Sequence, residues 1–134
     1  MKKVVIDSSY TNGNHHKYIV ANVTDNTKGC VITVIRANNK EGWGHSGVFY
    51  FLLQEIKNMC GGQSDVEVGE NKKIAKVGNF FTVECLGGGT LSTDSESWIF
   101  IYGSSTSYGR EHDRRQTSLI LKEEFPSFTI DFEY

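Results

Sequence analysis

The sequence is poor in the features that mark specialised protein classes. Its 134 residues include one proline, Pro126, and three cysteines, Cys30, Cys60 and Cys85. The cysteine count is odd and no C-x-x-C occurs, which argues against a disulfide framework and against a cysteine-based zinc site. A reducing, cytoplasmic setting with ordinary thiols is expected. Neither sign of charge dominates: 14 basic residues face 16 acidic ones, for a net charge of -2. A dedicated nucleic-acid binder carries a basic excess or stripe, so that class is set aside. The longest apolar run, from Val48 to Leu53, is far too short to span a bilayer. Met1 to Ile6 leads directly into Asp7-Ser8-Ser9 without a sustained apolar core, so no secretory signal is expected. No repeat, low-complexity run or linker divides the chain. Residues 1–134 read as one domain.

What is present is a mixed pattern of strands and helices. Lys3 to Ile6 reads as a short strand, and Lys17 to Val23 as a strand with a fully apolar face. Cys30 to Ile35 is rich in β-branched residues and reads as a buried strand. The turn residues Asp25 to Gly29 join these two as a hairpin. Phe49, Leu52, Leu53, Ile56 and Cys60 recur at helical spacing, with Ser46 as N-cap and Gly61 as the left-handed stop. Residues 63–78 are polar and irregular and read as an excursion hairpin. Phe80 to Leu86 and Trp98 to Tyr102 read as core strands. Asp113 and Gln116 have capping-box spacing, and Phe125-Pro126 closes that second helix. Phe128 to Phe132 alternates as a last strand. The order predicts an α/β sandwich, a mixed sheet flanked by two helices.

Three features bear on chemistry. The segment from Gly103 to Gly109 is small and hydroxyl-rich and follows a buried strand. Its backbone N–H groups can converge on an anion, or it is an ordinary surface loop. It is not a Walker loop, because no Gly-Lys-Ser/Thr follows. His45 opens the first helix. There it serves either as a base near neutrality, kept neutral by the helix dipole, or as an ordinary capping histidine. Lys17 opens a core strand and presents its ammonium at the sheet's end, or discourages edge pairing. His15 and His16 have no third ligand at metal-site spacing, so no metal is expected. His112 follows the small-residue loop and is placed either in the same pocket or in solvent. The carboxylates Asp65, Glu67, Glu70, Asp94, Glu96, Glu123 and Glu124 sit in polar surroundings that would not raise a pKa.

Two strings together are specific: Glu84-Cys85-Leu86-Gly87-Gly88-Gly89, and Ile101-Tyr102-Gly103-Ser104-Ser105-Thr106-Ser107-Tyr108-Gly109. With Phe125-Pro126-Ser127-Phe128, the Lys17-Tyr18 strand and the His45 segment, they resemble the phosphohistidine phosphatase family, also called Janus. The resemblance covers most of Lys17 to Phe128. It implies a small α/β domain that hydrolyses phosphohistidine, and in some members phospholysine, in protein substrates without metal or cofactor. It implies His45 as the catalytic histidine and Lys17 as a phosphate-binding lysine. Ser105, Thr106 and Ser107 would form the phosphate cradle, largely through backbone amides.

Two departures from that pattern stand out. Thr90 follows the triple glycine where the pattern has an arginine, leaving Arg110 or Lys40 to replace the charge. The stretch from His45 to Cys85 is also longer than the pattern, with the surplus placed in residues 63–78. The resulting expectation is a monomeric protein phosphohistidine phosphatase with His45 as general base. The alternative is a phosphate-binding or phosphoprotein-binding module of the same fold that does not hydrolyse its ligand.

Overall fold

A computed structural model describes residues 1–9, 14–94 and 96–134. The elements run in the order β1 (Val4–Asp7), β2 (His15–Asp25), β3 (Cys30–Asn38), α1 (His45–Met59), β4 (Val66–Val68), β5 (Ile74–Val77), β6 (Phe81–Thr93), β7 (Trp98–Tyr102), α2 (Arg114–Glu124) and β8 (Thr129–Phe132). The strands form one eight-stranded mixed sheet. Its continuous path is β1-β3-β2-β6-β5-β4, while β7 pairs with β6 and carries β8. The pairs β1/β3 and β7/β8 are parallel and the others are antiparallel.

The two helices lie on opposite faces of this open sheet, which is the α/β layering expected from the sequence. Strand β2 shows why both faces need cover. Ile19, Ala21 and Val23 join the core under α1, whereas Tyr18 and Val20 join the core under α2. A strand buried on both faces reads as a nearly continuous apolar run rather than a strict alternation. Helix α1 buries Val48, Phe49, Leu52, Leu53 and Ile56 along one stripe. Ile56 is fully buried, so truncating it to Ala costs about 2–5 kcal/mol through lost transfer energy and an unfilled cavity. Among the described residues no helix is long and apolar enough to cross a membrane.

Three local details differ from the sequence expectation. The α1 N-cap is Gly44, without a side-chain cap, and Ser46 lies inside the first turn. The C-terminus matches expectation: Gly61 adopts φ +83°, and the N–H of Gly62 donates to Lys57 O at 2.9 Å. Residues 63–78 do form the expected hairpin, β4 with β5, but it is not an excursion: β5 pairs with the first half of β6, burying Ala75 and Val77 in the α1-side core. Finally, β6 continues through Gly87-Gly88-Gly89, with a register shift against β2 between Val20 and Ala21.

Candidate functional site

Strand β6 is the common floor of the site. Its first half pairs with β5 and its second half with β7, while β2 runs beside it throughout. The glycines at its centre allow three elements to close over the same peptide units. A Cβ on Gly88 would lie 1.9 Å from Tyr18 O, and one on Gly89 would lie 2.3 Å from Tyr102 O. No side chain fits at either position without moving backbone. The triple glycine is therefore a packing requirement of the fold at this point.

His45 reaches this floor from the start of α1. Its Nε2–H donates to Gly89 O at 2.8 Å, which leaves Nδ1 as the ring's acceptor in the neutral form. The residue is 8% exposed. Burial holds its pKa below the ordinary value of 6.5, and the nearby Lys17 ammonium lowers it further, against the opposing bond to Gly89. The imidazole is thus neutral at pH 7 and able to accept a proton.

Lys17 arrives from β2. It stands opposite Asn38 of β3 on one side and Thr90 of β6 on the other. Thr90 in turn stands opposite Tyr102 of β7. Lys17, Thr90 and Tyr102 thus form one row across three strands, on the α1 face beyond the helix's first turn. The Lys17 ammonium donates to Trp43 O at 2.9 Å, immediately before α1. The Trp43 ring stacks on Phe51 at 4.6 Å between centroids, and Lys40 Nζ lies 4.0 Å from the Trp43 ring centroid. Of the two cations considered as substitutes for the charge absent at Thr90, Lys40 therefore sits on the ring beside the Lys17 anchor. Arg110 is exposed directly after the loop.

The loop after β7 closes the third side. Ser105 is buried, and Ser105 and Gly109 form an isolated β-bridge. The Tyr108 N–H donates to Ser105 Oγ at 3.0 Å, and the Tyr108 ring meets Phe49 of α1 edge-on at 5.7 Å. This contact ties the loop to α1 one turn beyond His45. Thr106 and Ser107 are exposed at the tip. Among the described residues their amides donate to no other group, so they remain available to an anion. The uncapped N-terminus of α1 adds its partial positive charge nearby. The structure thus brings Lys17 to Thr90 and His45 to Gly89, and attaches the loop to neighbouring Gly88 through Gly109 O, although these groups come from distant parts of the chain.

His112 does not join this pocket. It lines a cavity of about 380 Å³ on the α2 face, with Asn22, Thr33 and Gln116. His15 borders the Lys17–Thr90–Tyr102 row through Tyr102, whereas His16 faces the other side of β2. His15 Nδ1 is 3.1 Å from Tyr102 Oη, and His16 is buried with its Nε2 2.8 Å from Ser8 Oγ. Among the described residues no group of His, Cys, Asp and Glu side chains is arranged to hold a metal ion.

A buried ionic cluster beneath the site was not legible as such. Glu111 and Arg114 form an ion pair at 2.9 Å, with almost no exposure of either side chain. The Glu111 carboxylate also accepts from Tyr18 Oη and Thr117 Oγ1. The Arg114 guanidinium donates to Gly103 O, Gly88 O and Glu133 O. The only sequence signal is the i,i+3 spacing of the two charges around the Asp113 cap. Burial and the adjacent carboxylate together push the Tyr18 phenol far above its ordinary range, so it acts only as a donor to Glu111.

The Janus/Ocnus family model matches residues 2–129, almost the whole chain. The chain belongs to the Janus/Ocnus family. This match corrects the name given to the resemblance: the Janus/Ocnus family is not a phosphohistidine phosphatase family. Membership accounts for the two glycine-bearing strings lying on one chain, but assigns this Janus/Ocnus member no reaction. No curated protein matches it. Its chemistry has to be argued from the site itself.

Proposed function

We propose that this protein hydrolyses the P–N bond of phosphohistidine in protein substrates, without a metal, using His45 as general base. The observation that carries the reading is the neutral His45 imidazole. Its Nε2–H is committed to Gly89 O and its Nδ1 is left as acceptor, close enough to the Lys17 ammonium to feel its charge. A phosphoramidate bond is already labile. Positioning, and donors aimed at the oxygens of the transferring phosphoryl group, are therefore the main requirements.

In this reading Nδ1 of His45 takes the proton of a water whose oxygen attacks phosphorus in line. The new O–P bond forms as the P–N bond breaks. The electron pair stays on the substrate's imidazole nitrogen, which is protonated from solvent, and the products are histidine and inorganic phosphate. Lys17 and the loop amides hold the phosphoryl oxygens. Phosphate release from a phosphohistidine peptide in excess chelator tests the reading, and its absence at high protein concentration ends it. Trapping a phosphate on His45 during turnover would replace the base by a nucleophile.

A second reading has its own observation. Thr90, in the row between Lys17 and Tyr102, is uncharged where the resembled pattern has an arginine. That arrangement suits a module that binds phosphorylated partners without cleaving them. Saturable binding of the same peptide with no phosphate release would select it.

A further inference from the structure

The loop at residues 103–109 is attached at both ends to a single residue of β6, Gly88. The N–H of Gly88 donates to Gly109 O at 2.9 Å, which fixes the far end. The near end is fixed through a side chain: Arg114 Nη2 donates to Gly103 O at 2.8 Å and reaches Gly88 O at 3.3 Å. The next carbonyl along β6, that of Gly89, receives His45. The loop's near end and His45 thus meet consecutive carbonyls of β6, the first of them through the Arg114 guanidinium.

We infer that Arg114 is a positioning residue for the phosphate loop: its buried fork clamps Gly103 to Gly88, and Glu111 holds the fork in place. The inference rests on the proposed anion site, and it adds a residue that never touches the phosphate. The guanidinium is fully buried, and Glu111, Gly103 and Glu133 hold it from three directions. Nη2 carries the contacts to Gly103 O, Gly88 O and Glu111, while Nη1 bonds Glu133 O and so fixes the plane of the guanidinium; a single ammonium has no second nitrogen with which to fix its orientation in this way. The cluster includes Tyr18 from β2 and Thr117 from α2, so the clamp is built into the sheet rather than into the loop. Two ordered feet would let the exposed tip residues Thr106 and Ser107 present their amides without paying for loop ordering at each binding event.

The test compares Arg114→Lys with the unaltered protein. Amide hydrogen exchange is read at Ser105 and Gly109, with Ile19 and Val20 as references in the sheet. The expected result is exchange at Ser105 and Gly109 at least tenfold faster in the variant, with the references unchanged. Inorganic phosphate should inhibit the variant about tenfold more weakly. The midpoint of its acidic pH limb, which belongs to His45, should stay in place. A folded variant with loop exchange and phosphate affinity like those of the unaltered protein overturns the inference. So does a displaced pH limb, which would mean a general loss of structure rather than a loosened loop. If Arg114→Lys does not fold, the unaltered protein decides. Ser105 and Gly109 amides protected to the level of β6 support the clamp, and exchange at the rate of an open loop refutes it. Failure of the phosphatase reading is seen separately, as absence of phosphate release from the unaltered protein, and leaves the exchange result readable.

Discussion

His45 bonds to the carbonyl of Gly89, a residue 44 positions away, and that bond fixes which ring nitrogen can act. With Nε2 committed to the backbone, only Nδ1 can take a proton from water. The general-base assignment therefore depends on a strand carbonyl as much as on the histidine.

Replacing His45 by Ala should abolish turnover while the domain stays folded. General-base catalysis typically contributes about 10²–10⁴-fold, so a loss of that order is expected. The unpartnered Gly89 carbonyl should lower stability by about 1–3 kcal/mol. Phosphate release from a phosphohistidine peptide, with thermal unfolding as control, checks both. Full activity in the variant would end the assignment.

The activity should fall on acidification with a midpoint below 6.5, because burial and the Lys17 charge both disfavour the imidazolium. Stability should fall in the same direction. His16 is also held below 6.5, mainly by burial, so the unfolded chain takes up protons there that the folded chain refuses. Stability is complete above about 6.5 and declines as pH drops through the lowered values. Asp7 and Asp94, held low by hydrogen bonds from neighbouring residues, lose their contribution only at still lower pH. Denaturant titrations at pH 7.5, 6 and 5 should give successively lower midpoints. Rising midpoints would contradict the burial of both rings.

Much of this frame was legible in the residues. The apolar runs of β2 and β3, the helical stripe of α1 and the Asp113 cap of α2 follow from periodicity and capping chemistry. The Asp113 carboxylate does accept from the Gln116 N–H, at 3.1 Å. What escaped has physical reasons. Val66 to Val68 and Ile74 to Val77 are short and leave one side in water, so the hairpin was legible but its pairing with β6 was not. Glycines in a strand read as a stop, yet β6 needs them for the backbone approach of Tyr18 and Tyr102. The proximity of Lys17 to His45 depends on which strands neighbour β6, and no local pattern encodes that. The burial of Glu111 and Arg114 depends on partners in β2, β6 and the segment after β8, which no local pattern shows.

Lys17→Ala should weaken phosphate binding by about tenfold, with little effect on folding, since its ammonium is exposed and bonds only to Trp43 O among the described residues. Thr90→Arg should act in the opposite sense, tightening phosphate binding by about tenfold and making it more salt-sensitive. Isothermal titration with inorganic phosphate at two ionic strengths checks both. An unchanged affinity in Lys17→Ala would remove the lysine from the site.

Tyr18→Phe should destabilise the fold by about 1–3 kcal/mol, because the buried Glu111 carboxylate loses a donor and nothing replaces it. The shape of the ring is kept, so packing is not the cause. Denaturant midpoints of the two proteins measure the difference. Equal midpoints would mean that Arg114 and Thr117 satisfy Glu111 without the phenol.

The placement of β6 also governs when the pocket can exist. Lys17 and His45 leave the ribosome early, but the strand they share emerges later, and the loop and the Arg114 clamp later still. Nearly every pairing that shapes the site is long-range, so folding should be slow for a chain of this size. A nascent chain can thus hold its lysine and histidine for some time before it has anywhere to bind an anion.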